Sequence, residues 1–361
     1  MQIFRYVEQG AIDFLWISAT NPAVSMPQLG RIRDILAKDK LFLVVQDLYM
    51  TETAQYADVV LPAAGWGEKT GTFTNVDRTV HLSDQAVEPP GQARSDLDIF
   101  LEYGRRMNFT TQGGEPLLPW QNAGEVFAAW RECTRGRPVD YTGISYEGLR
   151  AASGIQWPCS EERPGGTLRL YTDGLFPTNP DRCETFGHDL LTGATVGEQA
   201  YRAMAPGGRA IFKTAPYTPP HEEPDAQFPL RFTTGRTVYQ FHTRTKTART
   251  PQLNAAAPHV WVELSSVDAQ SLDVREGDEV SVRSRRGHLV AQAKISDIRP
   301  GTVFAPFHYG YWDAGGEPGD APTAANELTL TEWDPVSKQP VFKNAAVVVE
   351  RASTPSRRVE P

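Results

Sequence analysis

Polar side chains gather where short apolar runs end, and that placement is the first chemical cue in the chain. Thr20-Asn21-Pro22 follows Ile12–Ile17, Gln46-Asp47 follows Leu41–Val45, and Glu68-Lys69 follows Asp58–Leu61, with Gly71, Thr72 and Asn75 just beyond. If those runs are parallel strands, these residues stand at the C-terminal edge of an open sheet, where α/β folds bind ligands against free backbone N–H groups. A carboxylate such as Asp47 can accept there from the N1–H and N2–H groups of a guanine edge. Plain roles suit the same residues: Asn21-Pro22 as a turn and Asp47 as the first residue of a helix.

Other chemistry is thinner. GWGEKTG (Gly65–Gly71) has glycines at positions 1, 3 and 7, and the TFTNVDRTV that follows is not helical. A dinucleotide fingerprint needs positions 1, 3 and 6 and a helix, so an NAD reading fails on both counts. The seven histidines show no HxH or HxxxH spacing, which argues against a histidine-built metal site. Cys133, Cys159 and Cys183 form no CxxC pair and read as plain thiols. His308 lies in PFHYGYWD among Phe307, Tyr309, Tyr311 and Trp312, a cluster that suits either a barrel core or the floor of a funnel. Arg244, Lys246 and Arg249 make a local positive patch, fit to attract an oxyanion or to guard an exposed strand edge.

These residues need elements to position them. Strands at Ile12–Ile17, Leu41–Val45 and Asp58–Leu61 alternate with a helix over Pro27–Lys38, whose Leu29, Ile32, Ile35 and Leu36 share a face, and a short helix at Thr51–Tyr56. That alternation implies a parallel sheet with right-handed crossovers. Ser95 is a suitable N-cap for a helix over Asp96–Met107, with Leu97, Phe100 and Leu101 inward. From about 110 to 227 glycine and proline are dense and periodicity is scarce, which reads as a wrapping connection with small helices at Glu125–Glu132 and Gly197–Ala203. From Phe228 the pattern turns to short alternating strands: His259–Leu264, Glu279–Ser284, Gly301–Phe307 and Val341–Glu350. Strands at such spacing point to a small barrel. The expected division is therefore 1–110, 111–227 and 228–352, with 353–361 a disordered tail.

The 361 residues exceed the size at which one core stops growing, so two domains are expected. A formal charge of −8 and the lack of a basic run argue against nucleic acid as a partner. The apolar runs are far shorter than the ~20 residues that span a bilayer, and no membrane association is expected. A sparse, odd cysteine count suits a reducing compartment, so a cytoplasmic location is expected.

One stretch of sequence resembles a known family. QDLYMTETAQYADVVLPAAGWGEKTGTFTNVDRTV (46–80) is similar to the third domain of the molybdopterin oxidoreductases, whose pattern joins TETA…ADVVLPAA to E-K-x-G-T-x-x-N-x-[DE]-R. SGIQWP (Ser153–Pro158) with RLYTDGLFPT resembles the family's passage into its last domain. TTGRTVYQFHTRTKT, from Thr233, and NELTLTEWDPVSKQPVFKNAAVVVE (Asn326–Glu350) resemble its C-terminal dinucleotide-binding domain. The likeness runs nearly end to end, weakest over 108–150 and 184–227, and is closest to the assimilatory nitrate reductase type, with formate dehydrogenases and periplasmic nitrate reductases as neighbours.

The resemblance implies a Rossmann-like parallel α/β domain followed by a six-stranded double-psi-type β-barrel. It implies Mo-bis(molybdopterin guanine dinucleotide) as cofactor, and places one guanosine end at Asn21, Gln46 and Asp47, with Lys69 and Asp96 as further contacts. In the barrel domain, Thr234, Gly235, Arg236, His242 and Thr243, completed by Phe307, Asn326 and Lys343, would surround the pterin and pyrophosphate. Hydroxyls, the Gly235 N–H and the cations Arg236 and Lys343 suit phosphate oxygens. The family's [4Fe–4S] motif and metal ligand have no counterpart here, so the chain is expected to be the back half of such an enzyme, inactive alone. Its partners would be the missing N-terminal half, in cis or as a separate subunit, an electron-donor protein and a small oxyanion. Nitrate reduction is the first expected activity; formate oxidation, or a non-catalytic dinucleotide-binding module, are the alternatives.

Overall fold

The computed structural model describes residues 1–174, 217–310, 323–334 and 339–352. Backbone compactness divides the chain into one unit of Met1–Leu61 with Tyr217–Pro361 and another of Pro62–Pro216. This differs from the division at 110 and 227 read from the sequence. The first sixty residues fold together with the C-terminal barrel, not with the residues that follow them.

In the first unit, β1 (Phe14–Ser18) and β2 (Phe42–Asp47) pair in parallel, Phe14 opposite Phe42 and Ser18 opposite Gln46, and β3 (Val59–Pro62) adds beside β2. Helix α1 (Gln2–Glu8), the single turn α2 (Pro22–Ser25) and helix α3 (Leu29–Leu36) accompany the sheet. The spacing of Leu29, Ile32, Ile35 and Leu36 does what it implied: all four are buried. Ile32, Ile35 and Leu36 pack with Val7, Ile17, Leu43 and Val45 in one apolar cluster. The short helix expected at Thr51–Tyr56 is a 3₁₀ turn at Ala54–Tyr56.

The remainder of this unit is a closed barrel of six strands: β7 (Leu230–Gly235), β8 (Trp261–Ser265), β9 (Glu279–Arg283), β10 (His288–Ser296), β11 (Thr302–Pro306) and β12 (Ala345–Arg351). Around the barrel the order is β10-β8-β11-β7-β12-β9, with β10·β8 and β11·β7 parallel. Alternate residues point inward, as period two requires, and Phe232, Val262, Leu264, Val280, Val282, Leu289, Val303 and Val347 fill the interior. Barrel and sheet are tied by the Arg33 guanidinium, which grips the Glu327 carboxylate at 2.7 and 3.4 Å.

The second unit holds a hairpin, β4 (Gly71–Thr74) and β5 (Thr79–Ser83), extended by the two-residue β6 (Ile155–Gln156). Three helices accompany it: α4 (Asp96–Arg106), α5 (Ala123–Cys133) and α6 (Tyr146–Ala151). Ser95 caps α4 as expected, accepting from the Asp98 N–H at 3.1 Å. The helix buries Ile99 and Leu101, while Phe100 is 41 % exposed, so the inward face is rotated from the one expected. The supposed wrap is partly ordinary packing: Phe127, Tyr141, Ile144, Leu149 and Cys159 close on Val80. The helix expected at Gly197–Ala203, Cys183 and the tail 353–361 lie outside the described residues.

Candidate functional site

The site forms where β7 and β11 leave the barrel side by side. Their register sets Gly235 opposite Pro306. The chain then runs into two neighbouring segments, the loop Arg236–Arg244 and Phe307–Gly310. Glycine at 235 has a packing cause, since a Cβ there would come within 2.7 Å of Phe304 Cε2. The two segments are joined through His308, which is fully buried. Its Nε2 accepts from the Thr237 N–H at 2.9 Å and its Nδ1 meets the His242 carbonyl oxygen at 2.6 Å. A ring that accepts at Nε2 and donates at Nδ1 is a neutral imidazole. Burial, with smaller pushes from Arg236, His242 and Arg244, holds its pKa below the ordinary histidine value, although the hydrogen bond to His242 opposes them.

Further anchors fix the loop. Gln240 donates to the Ala257 carbonyl at 2.8 Å and accepts from Thr247 Oγ1 at 2.6 Å. Arg244 is buried, donates to Asn254 Oδ1 at 2.5 Å, and lays its guanidinium 4.4 Å from the centre of the Tyr309 ring. Arg249 stacks on Tyr49 at 4.2 Å. The patch Arg244, Lys246 and Arg249 is thus neither a strand edge nor a free oxyanion lure: two of its three cations bind the protein itself.

The expected site residues separate into two groups. Asn21, Gln46, Thr234 and Asn326 are engaged within the fold. Asn21, 5 % exposed, donates to Glu52 Oε2 at 2.8 Å and Thr243 Oγ1 at 3.3 Å, and accepts from the Thr53 N–H and hydroxyl. Gln46 is fully buried against the Trp16 indole N–H. Thr234 Oγ1 donates to the Phe342 carbonyl, and Asn326 donates to the Val24 and Ser25 carbonyls. Buried polar groups with these partners hold the surrounding backbone in shape.

Arg236 and Lys343 come together at Phe307, while Gly235 precedes the loop Arg236–Arg244, to which His242 and Thr243 belong. The Arg236 guanidinium lies 5.8 Å and the Lys343 ammonium 5.9 Å from the centre of the Phe307 ring. Lys343 donates to the Thr234 carbonyl; withdrawal of its ammonium from water, then the Arg236 charge, lowers its pKa. Neither cation has a carboxylate partner among the described residues. Thr237 Oγ1 is buried with no partner among them either. Two unneutralised cations beside an aromatic face, with a hydroxyl to spare, fit the phosphates and ring of a dinucleotide. Asp47 is half-buried, at the end of β2 in the same unit, and accepts from the Leu48 N–H at 2.7 Å.

Lys69 and Asp96 belong to the second unit, where they form an ion pair lining a cleft of about 820 Å³ with Trp66, Phe73, Arg94 and Asn122. Arg78, the last residue of the N-x-D-R segment, has a structural duty there. It donates to the carbonyls of Trp157, Thr167 and Leu168 and lies 5.6 Å over the Trp157 ring. Sequence reasoning placed Thr237 only within the segment Thr234–Thr243 and left His308 between barrel core and funnel floor. The aromatic flanks of His308 marked it as interior, but nothing in the sequence says that both ring nitrogens reach backbone.

Comparison with known proteins agrees with this anatomy. Residues 2–105 match the family model described as molybdopterin oxidoreductase, and residues 230–346 the one described as molydopterin dinucleotide binding domain. The chain is 33% identical, over 97% of its length, to a periplasmic nitrate reductase of Desulfovibrio desulfuricans. It is 36% identical over 94% to the F420-dependent formate dehydrogenase subunit alpha of Methanocaldococcus jannaschii, and 36% over 96% to a nitrate reductase of Synechocystis. It spans only 43%, 43% and 44% of those relatives, respectively. A solved structure, the acetylene hydratase of Pelobacter acetylenicus, shares the fold with a TM-score of 0.67 at 19% identity, over 97% of this chain and 46% of that one. The chain belongs to the molybdopterin oxidoreductase family, and its barrel is the dinucleotide-binding domain.

Proposed function

We propose that this chain grips a molybdopterin guanine dinucleotide, and that the complete protein reduces nitrate to nitrite and water with two electrons and two protons. The observation that carries the first part is the pair Arg236 and Lys343 on the Phe307 ring, without carboxylate partners among the described residues, in the domain matched as dinucleotide-binding. Arg236 and Lys343 would hold pyrophosphate oxygens, Phe307 would offer a flat apolar face, and Thr243 and His242 would add polar contacts. Asp47 would accept from the guanine edge, and Lys69 and Asp96 remain further cofactor contacts implied by the resemblance. When bound, the cofactor supplies the two-electron redox chemistry; the residues here bind it, orient it and tune it through hydrogen bonds.

Nitrate is preferred because relatives named as nitrate reductases come from several unrelated sources. In this reading a further segment or subunit brings the metal ligand and a [4Fe–4S] cluster, a second dinucleotide completes the bis form, an electron-donor protein feeds it, and the enzyme works in the cytoplasm. A specific observation keeps formate oxidation as the second reading: relatives at equal identity are named formate dehydrogenase subunits. The complete enzyme, assayed with nitrate and reduced viologen and separately with formate and a dye acceptor, decides between them. Nitrite production is expected; formate oxidation without nitrite production would reverse the assignment.

A further inference from the structure

We propose that His308 is a positioning residue: its neutral imidazole, bonded at both nitrogens to the backbone of the loop Arg236–Arg244, fixes the shape in which that loop receives the dinucleotide. The inference rests on the cofactor reading above, and adds a residue and a pH dependence to it. His308 touches no candidate ligand group itself. Its two partners, the Thr237 N–H and the His242 carbonyl, are five residues apart on the loop, so the ring braces a span that contains no regular secondary structure.

The backbone gives that brace something to hold. His242 has φ +43° and Arg244 has φ +62°, left-handed conformations that side chains with a Cβ adopt only when their surroundings impose them. The His242 carbonyl is itself one of the brace points. The rim contacts lie on either side of the braced span: Arg236 immediately before Thr237, and Thr243 immediately after His242. On its other side His308 is followed by Tyr309, whose hydroxyl donates to the Ala257 carbonyl at 3.0 Å. Next comes Gly310, where any Cβ would strike the Glu52 carboxylate. The ring therefore has a rigid base, and the loop moves relative to it or not at all.

A brace of this kind works in one protonation state. Proton uptake at Nε2 removes the acceptor for the Thr237 N–H and sets two donors face to face. The charged and titratable groups around the ring are Arg236, His242 and Arg244 from the facing loop, with Tyr309 on its own segment and Glu52 behind Gly310. Glu52 is engaged by Asn21. Burial above all, and then the loop cations, disfavour the imidazolium, so at neutral pH the brace is closed. As pH falls below the ordinary histidine value of about 6.5, His308 in the unfolded or unbraced state takes up the proton first, and the braced form loses ground until its own lower pKa is passed.

The test uses the full chain, with diguanosine pyrophosphate as probe because its diester phosphates do not titrate between pH 5 and 8. Two quantities are followed over that range: affinity by calorimetry and the hydrogen-exchange protection of the Thr237 amide. In wild type both should fall together as the pH is lowered, by up to about tenfold per pH unit for one linked proton. His308→Gln keeps an acceptor for Thr237 but cannot titrate; it should bind within about threefold of wild type at pH 8, keep Thr237 evenly protected over the range and lose the part of the affinity change that tracks that protection. His308→Phe keeps the bulk and loses both hydrogen bonds; it should bind about tenfold more weakly at pH 8 with Thr237 deprotected. If His308→Phe does not fold, the contrast between wild type and His308→Gln still decides. A wild-type pH profile identical to that of His308→Gln would overturn the inference. Absence of probe binding at pH 8, with Thr237 protection still tracking His308, would instead overturn the cofactor reading and leave the brace standing.

Discussion

At the scale of single residues, the rim is built from like charges held close. Arg236 and Lys343 lie 5.8 and 5.9 Å from the centre of one aromatic ring, Phe307. Like charges held together without carboxylates disfavour each other, and an anion between them removes the penalty. Lys343→Ala should therefore lower pterin occupancy of the purified protein by about tenfold or more while leaving its unfolding curve within experimental error; normal pterin content would remove Lys343 from the site. Gly235 makes a different kind of prediction. Since Phe304 occupies the space of a Cβ at 235, Gly235→Ala should cost about 1–3 kcal/mol in urea unfolding, as overpacking does. Sequence reading singled out Gly235, Arg236 and Lys343 because residue type carries their chemistry, and the structure sets the two cations near one ring. It could not show how Asn21 and Asn326 are held, because an amide that can greet a ligand can equally bind Glu52, Thr53 or a turn carbonyl, as both do here.

At the scale of elements, short polar ties do most of the joining. The Arg33–Glu327 pair links α3 to the 3₁₀ turn Ala325–Glu327, with side chains only 20% and 6% exposed. Removing one partner leaves a charge out of water, so Glu327→Ala should destabilise by about 3–5 kcal/mol, read as a lower urea midpoint with unchanged slope. Glu222 anchors the segment before β7: burial pushes its pKa up, but Arg286, the Ala346 N–H and Arg285 outweigh that and hold it below the usual glutamate value. A lowered carboxylate contributes stability that is complete above the unfolded pKa near 4.5 and is lost as pH falls through the lower folded one. Thermal midpoints should drop below pH 4.5 in wild type and less steeply in Glu222→Gln. Elements themselves were readable where bulky residues keep period. Leu29, Ile32, Ile35 and Leu36 announced α3, and V-W-V-E-L announced β8. β10 went unread because its inward positions are Leu289, Ala291, Ala293 and Ile295, and alanine gives weak contrast. The hairpin β4–β5 was hidden by strands of four and five residues.

At the scale of the whole molecule, sequence and structure agree on class and differ on division. Parallel sheet and closed barrel were both legible, since period and strand spacing are local properties. That Met1–Leu61 folds with the barrel was not, because it depends on contacts more than two hundred residues apart, such as Asn21–Thr243 and Arg33–Glu327. The chain spans about 43% of the relatives it matches, so the identity of the substrate is an experiment on the complete enzyme. The cofactor claim can be tested on this chain's own residues. The most direct measurement is the pterin released by acid oxidation from protein purified from its own cells, wild type beside an Arg236→Ala/Lys343→Ala double variant of equal stability. Stoichiometric pterin is expected in the wild type and at least tenfold less in the variant. Equal pterin in both would contradict the cofactor claim, and would move the dinucleotide away from the barrel rim.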